Sequence, residues 1–313
     1  MLTFIHRRIL NLILKTKVVI LKKLKKIGRS YFVKKNNLFV GLTIDHFNGI
    51  KPSTLLKVVK KLGLEFVELT SSVFDDLSSC KENVGNIKTG FHLPNFHDKG
   101  YDFSCRNLDS QIQQLIKLIN ENYTQLNINY CLSHPPENDS DLTKEESIDY
   151  LLNNLKKLEP LVIIENIQGW DEESFKNFYD QAGSVLGEKL IGQCFDAAHY
   201  LLSGNDPVKF ITNANAKIRC IHLSDCKKDV DAHLAFGLGG NLPIDEILET
   251  IRTVDYAGFI NLELLPRNPK DISFIIKSYL KVIKVFNKKK YFTSLIRLFF
   301  YKSALEKTLK KAF

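Results

Sequence analysis

The sequence predicts an α/β protein, a (β/α)8 TIM barrel with basic helical extensions at both ends. Three observations carry that expectation. Between residues 38 and 276, short apolar runs alternate with helix-like runs, and such alternation specifies a parallel sheet faced by helices. Eight such units in about 240 residues approach the ~250 residues typical of a closed barrel. No Gly-rich dinucleotide turn follows the first run, which argues against the open, doubly wound alternative.

The strand-like runs are, in order, LFVGLTID, EFVELT, NIKTGFHL, LNINYCLSH, PLVIIEN, LIGQCFD, KIRCIHLSD and GFINLELL. The clearest helix-like runs are PSTLLKVVKKLG, SQIQQLIKLINENY, KEESIDYLLNNLKKL, EESFKNFYDQAGSVLG, IDEILETIRTV and DISFIIKSYLKVIKVF. After the second and sixth strands the helical signal weakens, leaving VFDDLSS and DPVKFITNA as short candidates. The expected organisation is a basic amphipathic extension over 1–37, the barrel over 38–276, and the last barrel helix with a second basic extension over 277–313. Six cysteines without a C-x-x-C pair read as buried, reduced thiols of a cytoplasmic protein.

The net charge of +9 is unevenly placed. Residues 1–37 hold eleven Lys/Arg and no acid, and residues 277–313 hold eleven Lys/Arg and one acid, which leaves −12 for the middle. An acidic barrel disfavours nucleic acid, whose binding depends on neutralising phosphates. In the N-terminal segment Arg8, Lys15, Lys22 and Arg29 fall seven apart beside an apolar face of Ile5, Leu12 and Val19. Lys15 and Lys17 interrupt the run, so it makes a poor signal peptide and a poor spanning helix. Two readings stand for the basic ends: helices packed on the barrel or on each other, or a peripheral contact with anionic membrane or a partner.

The candidate functional residues sit at strand ends. They are His92, His134, Glu165, Asp196 followed by His199, His222 and Glu263, with Asp231 and His233 in the loop after the seventh strand. In a barrel all strands aim their C-terminal ends at one mouth, so these side chains should converge there. Singly, each has a plain structural reading: a hydrogen-bonded histidine, a solvated glutamate, or, for Asp196, a helix cap. Jointly, imidazoles and carboxylates form a donor set for a divalent cation such as Mn2+ or Zn2+. Several carboxylates in one pocket would otherwise repel.

The motifs GFHLPN, LSHPPEN, IENIQGW, CFDAAHYLLSG, IHLSDCK, DAHLAFGLGG and NLELLP resemble those of the xylose isomerase-like barrels, which include endonuclease IV and sugar isomerase/epimerase families. The resemblance implies a metal held by Glu165, Asp196, His222 and Glu263. In the epimerase-like case the two glutamates also exchange protons with a sugar through a metal-stabilised enediolate, while His199, His233 and His92 bind substrate. In the endonuclease-like case, His92, His134, His199, Asp231 and His233 complete a set for up to three zinc ions that hydrolyse a phosphodiester at an abasic site. His233 stands where the epimerases carry an arginine before the G-x-G turn, here Gly237 and Gly239. The loops DHFNGIKP and TSSVFDD offer no arginine or aromatic-basic cluster to insert into DNA. The expected function is therefore sugar isomerisation or epimerisation, with the AP endonuclease and a non-catalytic metal-binding barrel at a membrane surface as alternatives.

Overall fold

The computed structural model describes residues 37–47, 49–137, 142–268 and 271–309. The expected N-terminal amphipathic helix lies outside these residues. Eight parallel strands close a barrel. They are β1 (Phe39–Ile44), β2 (Phe66–Leu69), β3 (Lys88–His92), β4 (Ile128–Ser133), β5 (Val162–Glu165), β6 (Leu190–Asp196), β7 (Ile218–His222) and, after a small hairpin, β10 (Phe259–Leu262). Each pairs with its sequence neighbour, and β1 closes the ring on β10 through Phe39–Phe259 and Leu42–Leu262.

Period-two alternation fixes what lies inside. Phe66, Tyr130, Leu132, Ile163, Cys194 and Cys220 pack together, with Phe39 and Phe259 beside them. One inward rung further along the strands come His92, His134, Glu165, Asp196, His222 and Glu263, at or just past the strand ends. An apolar plug therefore fills the barrel below the polar mouth, as close packing of such barrels requires. Gly90 has its place in that plug: a Cβ there would lie 2.5 Å from the Tyr130 ring.

The outer layer comes from amphipathic helices. Helix Pro52–Leu62 starts with Pro at its first turn and ends on Gly63 at φ +79°, the left-handed stop that glycine adopts without strain. Thr143 and Glu146 form a reciprocal capping box at the start of Lys144–Lys156. After β2 the chain makes a short 3-10 turn at Ser71–Asp76 and then helix Leu77–Val84, slightly later than VFDDLSS suggests. After β6 it makes two short helices, Ala197–Leu202 and Pro207–Ala214. All six cysteines are free and buried.

Helix Asp271–Phe286 runs continuously across position 276 and is followed by helix Lys288–Leu309. The latter packs on Asp271–Phe286 and on Pro52–Leu62. Lys290 pairs with Glu65 at 2.9 Å, and Ser294 is buried. Packing is thus the observed role for this part of the C-terminal extension. Phe299 and Phe300 nevertheless stay exposed. No described helix is long and apolar enough to cross a membrane.

Candidate metal centre

The nine residues come together at the C-terminal mouth. Four of the six on barrel strands and their ends are buried, with Glu165, Asp196 and His222 wholly so, and His134 and Glu263 are half-buried. Asp231 and His233 arrive differently from expectation. The segment after β7 is an antiparallel hairpin, β8 (Asp225–Lys227) with β9 (Val230–Leu234), and both residues lie on β9. His233 takes φ +43°, a left-handed conformation that is rare outside glycine and that clusters at functional sites.

Glu165 is the hub. Its carboxylate lies 3.7 Å from His92 Nε2, 3.3 Å from His134 Nε2, 3.6 Å from His199 Nδ1 and 3.2 Å from His222 Nδ1. Glu263 reaches the same His222 Nδ1 at 2.9 Å. His199 and His233 meet at Asp231, whose Oδ2 is 2.9 and 3.1 Å from their Nε2 atoms. Asp196 does two jobs: Oδ1 caps helix Ala197–Leu202 by accepting from the His199 backbone N–H at 2.7 Å, while Oδ2 is buried with no hydrogen-bond partner. The cap reading of Asp196 is thus observed, and its second oxygen is left over.

Four of the five imidazoles share one arrangement, His233 Nδ1 having no hydrogen-bond partner. His92 donates from Nδ1 to the Leu93 carbonyl at 2.7 Å, and His199 from Nδ1 to the Asn166 carbonyl at 3.0 Å. His134 Nδ1 bonds the Glu137 carboxylate, and His222 Nε2 lies 3.0 Å from Glu68. In each, a supporting oxygen holds one nitrogen and the other nitrogen faces a carboxylate of the mouth. That is how histidines are oriented to ligate metals.

The facing atoms are not satisfied among themselves. Both Glu165 oxygens, Asp196 Oδ2, His134 Nε2 and His222 Nδ1 are buried without a hydrogen-bond partner, although they approach one another closely. Buried polar groups are rarely left so. Two subsets bring one donor atom each within 4.8 Å of one another: Glu165 with Asp196, His222 and Glu263, and Glu165 with His92 and His134. Three carboxylates with one imidazole, and two imidazoles with one carboxylate, both fit a divalent cation.

The electrostatics agree. Burial works against charge on His134, but the neighbouring Glu137 and Glu165 carboxylates outweigh it and push the imidazole up to about 10. Burial also opposes ionisation of Glu165, yet His222, His134 and His92 hold it well below the usual carboxylate range. Glu263 is lowered against burial by His222 and His233. Asp196 goes the other way: burial lifts it to about 6, with His199 only partly offsetting. Without a cation the cluster balances its negative charge by holding protons on imidazoles, the places a cation would take.

Two acids near the mouth, Glu68 buried and Glu137 half-buried, are additions to the sequence reading. Glu68 accepts hydrogen bonds from Tyr130 Oη at 2.9 Å and Asn261 Nδ2 at 3.1 Å while facing His222. Glu137 supports His134, and its backbone N–H donates to Asp102 Oδ2 at 3.0 Å. The only sequence signal for Glu68 is an acid flanked by apolar residues in FVEL. Glu137 is the acid three residues past His134 in LSHPPEN. Above the centre the mouth is a cavity of about 570 Å3, with Asn95, Gln168, Trp170 and Arg267 among its walls.

Comparison with known proteins places this architecture. Among solved structures, D-allulose 3-epimerase from Methylomonas sp., in complex with D-allulose, is 12% identical with a TM-score of 0.59, covering 80% of this chain and 97% of that one. The IOLI protein with a bound zinc atom is 15% identical with a TM-score of 0.58, covering 80% and 99%. An AP endonuclease, family 2, from Brucella melitensis is 12% identical with a TM-score of 0.59, covering 76% and 96%. At such identities these likenesses speak for the fold. No curated protein sequence matches the chain. The family model for the xylose isomerase-like TIM barrel matches residues 53–282, and with the closed eight-stranded barrel already seen, the chain belongs to that family.

Proposed function

We propose that the protein is a divalent-metal-dependent isomerase or epimerase of a small sugar or sugar-like polyol. Glu165, Asp196, His222 and Glu263 hold the metal, and Glu165 and Glu263 move the proton. The observation that carries this reading is the mouth itself. A cavity of about 570 Å3, within the ~300–1,000 Å3 of small-molecule sites, lies over two carboxylates that reach one imidazole nitrogen, His222 Nδ1. Its walls mix hydrogen-bonding side chains with Phe96, Ile167, Trp170 and Leu265, and among the described residues its acids outnumber its single arginine. That lining suits a neutral polyol better than a polyanion.

A bound Mn2+ or Zn2+ would supply Lewis acidity, weakening a C–H next to a carbonyl. The chain supplies the rest. Glu165 and Glu263 are held ionised by the surrounding imidazoles, so each can accept a proton from carbon and return it. His92, His199 and His233 line the same mouth and present ring nitrogens to substrate hydroxyls. The epimerase neighbour crystallised with D-allulose supports a sugar of this class.

One observation favours a second reading. His92, His134 and Glu165 form a further tight donor group that shares Glu165 with the first. Two adjacent cations there would suit zinc-dependent phosphodiester hydrolysis, as the AP endonuclease neighbour's name suggests. Solvent exchange tests the first reading. Metal-loaded protein incubated with a panel of ketoses and aldoses in D2O should place deuterium on a carbon beside the carbonyl of at least one, read by NMR. Glu263→Gln should slow that exchange about 10²- to 10⁴-fold. Fully loaded wild type that labels no sugar would contradict the reading.

A further inference from the structure

A second cavity adjoins the mouth and differs from it in chemistry. It measures about 380 Å3 and lies between the barrel wall and the helical layer. His92, His233 and Glu263 line both cavities. Beyond them the walls are mostly apolar, with Asp45, Thr70, Asn95, Asp98 and Lys99 among the polar remainder. Leu42 comes from β1, Leu55 and Val58 from helix Pro52–Leu62, and Ile272, Ile275 and Ile276 from helix Asp271–Phe286. All six are only half-buried, whereas Leu56 of the same first helix is wholly buried.

Protein interiors are close-packed, and unfilled apolar space forfeits contact energy. An apolar volume continuous with a polar reaction site is therefore suited to an occupant. A free sugar is the wrong one, because its hydroxyls would lose water there without gaining partners. Polar groups gather at one end, where Asp45 accepts from Thr70 at 2.8 Å and from Lys99 at 3.0 Å.

We propose that the substrate is amphiphilic: its sugar or polyol head sits at Glu165 and Glu263, and an apolar alkyl or aryl substituent enters the cavity walled by Leu42, Leu55, Val58, Ile272, Ile275 and Ile276. The head-group assignment rests on the isomerase reading above; the cavity assignment has its own readout.

That readout is chain-length dependence. Metal-loaded, full-length protein is titrated calorimetrically with n-alkyl β-D-glucopyranosides from methyl to octyl, below their micelle concentrations. Affinity should rise about fourfold per added methylene until the cavity is full. Ile275→Trp and, independently, Val58→Phe should flatten this slope while leaving metal content and circular dichroism unchanged. The proposal is overturned if octyl glucoside binds wild type no more tightly than methyl glucoside. It is equally overturned if the slope survives in whichever filled variant folds. Deuterium exchange on sugars, run in parallel, reports the isomerase reading. Exchange without a slope rejects the cavity assignment alone, and a slope without exchange rejects the isomerase reading alone.

Discussion

Glu68 illustrates what single residues do at this centre. It is wholly buried on β2 and faces His222 Nε2 at 3.0 Å, so it keeps Nδ1 of His222 turned toward Glu165 and Glu263. Glu68→Gln offers an amide donor in place of that acceptor and disturbs the tautomer. Metal affinity should fall about 10- to 100-fold, read by metal titration, with circular dichroism unchanged; unaltered affinity would contradict the positioning role. His134 gives a pH prediction. Its folded-state value, about 10, exceeds the ordinary 6.5, so its contribution to stability is fully present below about 6.5 and is lost as pH rises toward 10. Chelator-treated protein should therefore lose thermal stability across that window. Metal-loaded protein should lose less, because cation binding strengthens as imidazoles deprotonate. Equal stability of the chelated form at both ends would count against the charge assignment. The nine predicted residues were readable because each stands at or near a strand end or in the D-A-H segment. Glu68 was not, since an acid inside a short apolar run looks solvent-facing until its partners Tyr130 and Asn261 arrive from distant strands.

At the scale of elements, strand period does most of the positioning. Alternation puts His222 one inward rung beyond Cys220, Asp196 beyond Cys194 and Glu165 beyond Ile163, so an apolar plug and a polar mouth follow from the same pattern. This is why the eight strands could be read from sequence. The β8–β9 hairpin could not: its strands are three and five residues long, DCK and VDAHL, too short and too polar to show alternation. Yet it is what carries Asp231 and His233 to His199. The helices show the opposite limit. Leu55 and Ile275 lie on apolar faces whose sequence pattern is the same whether they pack or line open space. Only the assembled layers reveal the second cavity.

Across the whole molecule, charge and site point the same way. The stretch 38–276 carries −12, and its mouth concentrates carboxylates around imidazoles instead of presenting a basic track. The basic helix Lys288–Leu309 packs on helices Pro52–Leu62 and Asp271–Phe286. Long-range charge therefore disfavours a nucleic-acid duplex, while local geometry favours a cation and a small polyol. The central claim is that these carboxylates and imidazoles hold a divalent metal that serves a sugar and not DNA. The most direct test is elemental analysis of gently purified protein, run beside a nicking assay on abasic duplex DNA. The account predicts at least one divalent metal per chain and no nicking. A metal-free protein would contradict the site, and nicking by a three-metal protein would contradict the choice of substrate.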